Sequence, residues 1–394
     1  MTTYLDHAAT TPMLPAAREA MVEQLAITGN ASSLHGPGRA ARRVVEESRE
    51  QIAAALGARP SEIVFTSGGT EADNLAITGS FRSARATDPR RTRIVASAVE
   101  HHAVLDPIDH AVEHEGAQAD FVLPGECGSV QPSAVRAAIE TDPSTVAAVS
   151  VMWANNEVGA VQDVTAMAEI AHEHGLAFHT DAVQAAGHLP VDFAASGVDL
   201  MSVSAHKLGG PLGIGALVAK RDARLIALSH GGGQERGIRS GTLDAPSIRA
   251  FAVALRESVE RREAEATRVG ALRDRFLAGT QTLGLDIRIT GCWEAGDVTT
   301  RLPGNAHITI PGCEGDSMLY LLDAAGVAVS TGSACQAGIP QPSHVVLAMG
   351  RSEEEARGSL RVSLGWTSTE EDVDAILAAL PEAVARARRA SGAA

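Results

Sequence analysis

Two lysines occur in the 394-residue chain, and one of them lies where an amine could act chemically. Arginine stays protonated and cannot serve as an amine nucleophile, whereas a desolvated lysine can. Lys220 lies in a predicted surface turn, where a solvated charge is the favoured interpretation. Lys207 follows Ser204 and His206 and precedes a glycine-rich turn. A lysine in such a turn is commonly just solvated, but the hydroxyl and imidazole could hold a phosphate while the amine forms a Schiff base.

Two further segments place polar groups where predicted strands end. Ser67 to Thr70 lead from a strand into a helix that we expect to begin near Glu71, so free backbone N–H groups could bind a phosphate there. An ordinary strand-to-helix connection explains that pattern equally well. Asp181 follows a strand ending near Thr180, at the sheet edge where open α/β folds bind ligands.

Asp181 has two interpretations. A carboxylate in this position needs a cationic partner, such as a protonated pyridine nitrogen. Taken alone, the residue is better explained as the N-cap of a helix beginning near Ala182. Its combination with Lys207 favours a catalytic site more strongly than either residue does.

The cysteines divide into one candidate nucleophile and three structural residues. Cys335 lies in STGSACQAGIPQPSH, a stretch rich in small residues and proline, which predicts a loop. A thiol in a loop suits a nucleophile. Cys127, Cys292 and Cys313 show no CxxC pair and no histidine at zinc-ligand spacing. We therefore expect neither a disulfide nor a structural zinc site, and no bound metal.

Alternating apolar runs and helical patterns predict the elements that position these groups. Helical spacing appears between the strands, for example at 44–56 and 164–173, which indicates an α/β protein with a doubly wound, mostly parallel sheet. We expect this large domain to span residues 14–256. The strands are predicted at 63–66, 93–97, 117–123, 146–153, 177–180, 200–204 and 215–219.

A smaller α+β domain is predicted over residues 257–394, with residues 1–13 packing on it or on the large domain. Pro246 opens a long helix that extends to about residue 277 and connects the two. A last helix follows Ser368, with Glu371 at capping-box spacing. The strands of this domain are predicted at 286–290, 307–310, 327–330 and 360–364.

Composition excludes several classes of function. A net charge of −15 repels both nucleic acid and anionic membrane surfaces, so neither is an expected partner. No apolar stretch reaches the length of a membrane span, and Asp6 and His7 lie where a signal peptide would be apolar. We expect a cytoplasmic protein.

Ten motifs carry a family resemblance. The chain resembles the cysteine desulfurases of the iron–sulfur-assembly type, which belong to the class V aminotransferases within fold type I of the pyridoxal 5'-phosphate (PLP) dependent transferases. The order of the motifs is that of the family. They are LDHAATTP, GNASSLHGPGR, TSGGTEADN, EHHAVLD, WANNEVG, HTDAVQ, SAHK, HGGGQERGIRSGT, STGSAC and LRVSLG.

The resemblance implies roles for residues around the cofactor ring. Lys207 would bind PLP as a Schiff base, and Asp181 would pair with the pyridinium nitrogen. Gln184 would contact the phenolic oxygen. His101 would stack on the ring and could shuttle protons, although the adjacent His102 leaves the register of that histidine open.

The resemblance also implies phosphate, substrate and subunit contacts. Thr242 would reach the phosphate of a second subunit, which implies a homodimer. Asn156 and Arg361 would hold the cofactor or the substrate carboxylate, while Asn30 and His35 lie in a family-like stretch without an assigned role. The positions that match phosphate-binding residues are Gly69, Thr70, Ser204 and His206.

The implied reaction takes sulfur from L-cysteine, leaving L-alanine and a persulfide on Cys335. The sulfur would pass to an iron–sulfur scaffold protein or another acceptor, and Cys335 could transiently ligate a cluster. Residues 336–339 differ from the Ser/Thr-rich run of many relatives, which leaves acceptor preference open. The alternatives are a selenocysteine lyase or another class V enzyme. A plain aminotransferase would not need Cys335, and a non-enzymatic scaffold is disfavoured because Lys207 and Cys335 are both present.

Overall fold

The computed structural model describes residues 2–332 and 341–392, so Cys335 lies outside the described residues. The strands in this part of the chain are β1 (Thr3–Tyr4), β2 (Ile63–Thr66), β3 (Arg93–Ser97), β4 (Gln118–Val122), β5 (Val146–Ser150), β6 (Phe178–Asp181), β7 (Leu200–Ser204), β8 (Gly215–Ala219), β9 (Arg288–Ile289), β10 (Asn305–Thr309), β11 (Val327–Ala328) and β12 (Ser359–Ser363). The helices are α1 (Pro15–Leu25), α2 (Gly36–Ala55), α3 (Gly69–Thr87), α4 (His102–Glu115), α5 (Pro132–Glu140), α6 (Val164–Glu173), α7 (Phe193–Ser196), α8 (Ala245–Thr282), α9 (Gly315–Ala324), α10 (His344–Ala348), α11 (Glu353–Arg357) and α12 (Glu370–Ser391).

A seven-stranded sheet forms the centre of the larger part, with the order β2-β8-β7-β6-β5-β3-β4. The strands from β7 to β4 pair in parallel, whereas β8 is antiparallel to both β7 and β2. Most of these strands are apolar runs buried on both faces, as expected where helices cover a parallel sheet. The predicted α/β class with a mostly parallel sheet is confirmed.

The long helix α8 takes part in two hydrophobic cores. Its first turns, including Ile248 and Phe251, pack in the core of the seven-stranded sheet. Its later turns, including Phe276 and Leu277, pack in a second core with the antiparallel sheet β12-β10-β9 and with α9 and α12. No helix in the described part of the chain is long and apolar enough to cross a membrane.

We call the parts around these cores the large domain and the small domain. The N-terminal strand β1 pairs in parallel with β11, and Leu5 is fully buried in the second core, so the first residues pack on the small domain. The boundary near residue 256 stays a prediction; the change of core along α8 supports it.

The structure corrects two predictions. Cys127 and Cys292 form a disulfide, so the expectation of no disulfide was wrong; their separation of 165 residues left no local signal in the sequence. Cys313 is buried, as expected of a small hydrophobic residue. The capping box of α12 uses Thr369 and Asp372 and not Ser368 with Glu371.

Candidate active site

Lys207 lies where β7 ends, in a short 3-10 turn spanning Ala205–Lys207. Its Nζ donates hydrogen bonds to the carbonyl oxygens of Ala8 at 2.7 Å and Ala9 at 2.8 Å. Burial and the positive charge of Arg361 lower the pKa of Lys207 to about 8, against the opposing effect of Asp181 and Asp6. A larger fraction of this amine is therefore neutral near physiological pH than for an ordinary lysine.

Asp181 is the last residue of β6, the strand that pairs with β7. Burial raises the pKa of Asp181 to about 6, while a backbone hydrogen bond and the charge of Lys207 lower it. Its Oδ1 accepts a hydrogen bond of 2.8 Å from the Val183 N–H, and no helix begins at Ala182, so the N-cap interpretation does not hold. Gln184 donates to the same Ala8 carbonyl as Lys207 does, at 2.9 Å.

The turn between β2 and α3 has the features of an anion site. Gly68 precedes α3 with φ of 152°, in the region that favours glycine. A Cβ atom on Gly68 would lie 4.0 Å from the Ser204 hydroxyl, which is buried and has no hydrogen-bond partner in the described residues. An orphaned hydroxyl beside a helix N-terminus fits a phosphate. Gly69 and Thr70 form the first turn of that helix.

His206, which precedes Lys207, and the histidine pair at the start of α4 are the next predicted site residues. His206 lies 3.2 Å from Thr10 Oγ1 through its Nδ1. His101 is exposed, and its Nδ1 accepts from the Ala103 N–H as the N-cap of α4. Desolvation by the surrounding protein and the charge of Lys207 lower the pKa of His101, which favours the neutral imidazole.

The neighbouring His102 faces other partners. Its Nδ1 lies 2.9 Å from Asp106 Oδ1, and its ring meets the His344 ring edge to face with centroids 5.2 Å apart. Because His102 is engaged with Asp106 and His344, His101 is the better candidate for the residue beside the reactive amine.

Arg361 joins three parts of the chain, namely β12, the N-terminal segment and the turn that carries Asn156. It is 4% exposed and lies on β12. Its Nη2 contacts Asp6 Oδ1 at 2.8 Å, and its Nη1 donates to the Asn156 carbonyl at 3.1 Å. Its Nε has no hydrogen-bond partner in the described residues. Sequence reasoning missed Asp6, although it lies in the LDHAATTP motif.

The turn that carries Asn156 is built by its neighbours, which sequence reasoning also missed. The Asn155 side chain is fully buried and accepts from the N–H groups of Glu157 and Val158. The Glu157 carboxylate accepts a 2.5 Å hydrogen bond from the Ser343 hydroxyl, and Ser343 in turn caps α10. The WANNEVG motif is therefore tied to the chain that follows the Cys335 region.

The remaining predicted residues are exposed, bind local backbone groups or lie outside the described chain. Thr242 is exposed, two residues before the Asp244 N-cap of α8. Asn30 and His35 bind local backbone N–H groups, those of Ser32 at 2.9 Å and Gly38 at 3.2 Å. In residues 2–332 and 341–392 no group of three or more metal-ligating side chains could hold a metal ion.

Comparison with known proteins agrees with this geometry. A family model described as "Aminotransferase class-V" matches residues 3–376. The chain belongs to this family. An IscS-like cysteine desulfurase from Mycobacterium tuberculosis is 54% identical over 388 residues, covering 98% of both chains. A solved structure titled NifS-like protein superposes with a TM-score of 0.87 at 32% identity, covering 98% of this chain and 100% of the other.

A second solved structure, titled SspA in complex with cysteine, superposes with a TM-score of 0.77 at 33% identity and covers 93% of this chain and 99% of the other. Class V aminotransferases depend on PLP. Three groups of the site fit this cofactor. The orphaned Ser204 hydroxyl beside α3 fits its phosphate, the buried Asp181 carboxylate fits its pyridinium nitrogen, and the half-buried Lys207 amine fits its aldehyde.

Proposed function

We infer that the protein is a PLP-dependent cysteine desulfurase. The observation that carries this inference is the placement of Lys207 just after β7, beside Asp181 at the end of the neighbouring β6. Its amine binds the Ala8 carbonyl in the N-terminal segment, whose Asp6 pairs with Arg361. A nucleophilic amine, an anion for the pyridinium ring and a guanidinium for a carboxylate therefore belong to one site. The relatives named cysteine desulfurase specify which amino acid such a site acts on.

Arg361 is the group best suited to hold the carboxylate of L-cysteine. Its planar guanidinium can donate two parallel hydrogen bonds to a carboxylate, and in this structure its Nη2 already pairs with the Asp6 carboxylate. A substrate carboxylate would bind at the same guanidinium. Asn156 fixes the orientation of that side chain, because its carbonyl oxygen accepts from Nη1.

PLP, when bound, withdraws electrons from the substrate Cα. Lys207 supplies the base that moves the Cα proton, since its lowered pKa makes the neutral amine available. The Cys335 thiolate then forms an S–S bond with the substrate sulfur while the substrate C–S bond breaks. Overall, L-cysteine and the Cys335 thiol become L-alanine and a Cys335 persulfide, so atoms and electrons balance.

The partners follow from the same proposal. Thr242 precedes α8 on an exposed segment, which supports its role at the phosphate of a second subunit and hence a homodimer. The persulfide sulfur would pass to an iron–sulfur scaffold protein or another acceptor in the cytoplasm. The likeness to relatives named IscS supports this destination.

The deciding experiment measures visible absorption of the purified protein, followed by alanine and sulfide release from L-cysteine with a reductant. Cys335→Ala should retain the PLP colour and lose sulfide release. Cys313→Ala is the matched control, because Cys313 is buried, and it should keep both properties. Full activity without Cys335, or a coloured wild type that releases neither product, would overturn the assignment.

A further inference from the structure

The disulfide joins the two domains. Cys127 lies in the turn between β4 and α5 of the large domain, and Cys292 follows β9 of the small domain. Their Cα atoms are 4.6 Å apart. This covalent link adds to two backbone hydrogen bonds that join the same segments, from Val161 N–H to the Thr300 carbonyl at 2.9 Å and from Leu302 N–H to the Gly159 carbonyl at 2.8 Å.

Both cysteines are accessible to small redox reagents. Cys292 is exposed and Cys127 is half-buried. The turn around Cys127 is ordered by its own backbone, with hydrogen bonds from Gly125 N–H to the Ser129 carbonyl and from Gly128 N–H to the Gly125 carbonyl, both 2.9 Å. The Cys127 turn therefore keeps its geometry without the disulfide.

The large-domain side of the link touches the Asn156 turn. A Cβ atom on Gly128, next to Cys127, would lie 2.8 Å from Val158 Cγ2 and 3.3 Å from the Ala160 Cβ. The Cys127 turn is therefore in close contact with the segment that follows Asn156.

The small-domain side of the link leads to the same corner. Arg301 is 2% exposed and donates to the Cys292 carbonyl at 3.3 Å and to the Asn305 carbonyl at 3.0 Å. Asn305 Nδ2 in turn donates to the Asn156 carbonyl at 3.4 Å, the oxygen that also accepts from Arg361. We call the hydrogen bond between Arg361 and the Asn156 carbonyl the Asn156–Arg361 junction. Contacts from both ends of the disulfide thus lead to this junction.

We propose that Cys127 and Cys292 form a redox-modification site that fixes the small domain against the large domain at the Asn156–Arg361 junction. In the oxidised protein the junction is preorganised for a substrate carboxylate. In the reduced protein the domains move relative to each other more freely, and carboxylate binding weakens. The effect on an amino acid rests on the proposed function, whereas the redox site itself does not.

The oxidant is a hydroperoxide and the reductant a dithiol. One thiolate attacks a peroxide oxygen and breaks the O–O bond, which yields a sulfenic acid and water. The second thiolate forms the S–S bond and displaces the sulfenic oxygen as water. Two thiols thus lose two electrons and two protons while hydrogen peroxide becomes two waters. A dithiol reverses the step by exchange and becomes a disulfide.

The first test counts thiols in the PLP-loaded Cys335→Ala protein, so that the proposed nucleophile cannot react. This variant has three cysteines, and after reduction all three should titrate in denaturant. After peroxide treatment of the folded protein and its removal, Cys313 alone should titrate, and mass spectrometry should find the 127–292 peptide link. Three free thiols after oxidation, or a link to Cys313, would overturn the proposal.

The second test measures binding of L-alanine, which carries the carboxylate but no thiol, through the visible spectrum of bound PLP. Reduction should raise the half-saturating concentration about threefold or more. In the Cys335→Ala background, Cys292→Ser and Cys127→Ser should both show the reduced value under either condition. Equal values for oxidised and reduced protein would refute the coupling. No spectral response in any state, with the thiol counts as expected, would instead count against the proposed function.

Discussion

The reactivity of Lys207 depends on three charged side chains around one amine. Burial and Arg361 favour the neutral amine, while Asp181 and Asp6 favour the ammonium form. The sequence singled out Lys207 because lysine is so rare in this chain. It placed Asp181 at a strand end, but the pairing of Asp181 with a pyridinium nitrogen was implied by the family resemblance. It could not identify Asp6, because the contact with Arg361 joins residues 355 positions apart.

At the residue scale, PLP capture by the cofactor-free protein should follow the titration of Lys207. The lowered pKa means that the neutral amine becomes abundant around pH 8, not around the ordinary value of 10.5. The rate of capture, followed by visible absorption between pH 6 and 11, should therefore rise to half its limit near pH 8. A midpoint above pH 10 would contradict the environment described for Lys207. Lys207→Arg should form no covalent link that borohydride can reduce.

Replacing Arg361 tests the carboxylate site. Arg361→Lys removes the planar fork, and loss of charge-assisted hydrogen bonds worth about 1.5–3 kcal/mol should raise KM for L-cysteine roughly 10- to 100-fold. The PLP spectrum should be unchanged. Arg357→Lys, an exposed helical ion pair with Glu353 two residues before β12, is the control and should leave KM unaltered. An unchanged KM in Arg361→Lys would place the carboxylate elsewhere.

At the element scale, the candidate site lies at the carboxyl ends of the parallel strands. The apolar runs in the sequence predicted most of these strands. The bounds of β2, β3, β7 and β8 match their predicted ranges. The capping box of α12 shows what local patterns lack. Both candidate pairs satisfy its spacing, but the Ser368 hydroxyl accepts from the Gly365 N–H at 3.0 Å and lies 3.4 Å from His7. Tertiary contacts therefore left Thr369 as the cap.

The segment 231–242, which carries Thr242, is anchored to α2 and β2 by the buried carboxylate of Glu235. Glu235 is 2% exposed and binds Arg49 through two hydrogen bonds of 2.7 and 2.8 Å, and it also accepts from the Phe65 N–H. The Arg49 guanidinium lies 4.6 Å from the centre of the Phe65 ring. Glu235 is therefore the buried anchor of this glycine-rich segment, beside Arg239, which donates to Glu71 at 2.9 Å, and Arg236, which donates to the Ala219 carbonyl at 3.1 Å.

Arg49→Ala should lower the free energy of unfolding by about 3–5 kcal/mol, because it leaves the Glu235 carboxylate buried without its cation. Arg136→Ala provides the comparison, since its pair with Glu173 is exposed and screened by solvent, so its loss should change stability far less. Denaturant unfolding of both variants measures the difference. Equal losses would show that the Glu235 anchor contributes no more than a surface ion pair.

At the scale of the whole molecule, contacts between residues far apart in the chain could not be predicted from the sequence. The β1–β11 pair and the Cys127–Cys292 disulfide each join residues more than a hundred positions apart, and neither has a periodic signature. At the candidate active site the family motifs identified residues that are distant in sequence and close in space. They say nothing about the disulfide, which lies outside every motif quoted.

Buried histidines should make the whole protein sensitive to acid. Burial lowers the pKa of His7 to about 4 and of His179 and His307 to about 3, with Arg301 and Arg361 also acting on His307. Below pH 6.5 these histidines bind more protons in the unfolded chain than in the folded one, so their contribution to stability falls as pH drops through this range. Burial raises the pKa of Glu100 to about 8 and of Asp181 to about 6, so these two carboxyls contribute in the opposite direction. The contribution of the histidines to the stability of wild type should decline between pH 7 and 5.

His307→Leu tests this contribution, because neither ring nitrogen of His307 has a hydrogen-bond partner in the described residues. Between pH 6.5 and 5 each such histidine accounts for about 2 kcal/mol, so the variant should decline less steeply than wild type by that amount. Chemical denaturation at pH 7, 6 and 5 measures both slopes. Parallel slopes would mean that His307 does not titrate on unfolding.

The N-terminal segment is hydrogen-bonded to the reactive amine, so its order depends on whether that amine is free or covalently bound. Ala8 and Ala9 follow a strand that pairs with the small domain, yet their carbonyl oxygens hold the Lys207 ammonium. When the Lys207 nitrogen forms a covalent bond, it has fewer N–H groups to donate. The first residues of the chain then lose a hydrogen bond to the large domain. Backbone amides near Ala8 should then exchange hydrogen faster in the loaded enzyme, which makes the beginning of the chain a natural reporter of cofactor occupancy.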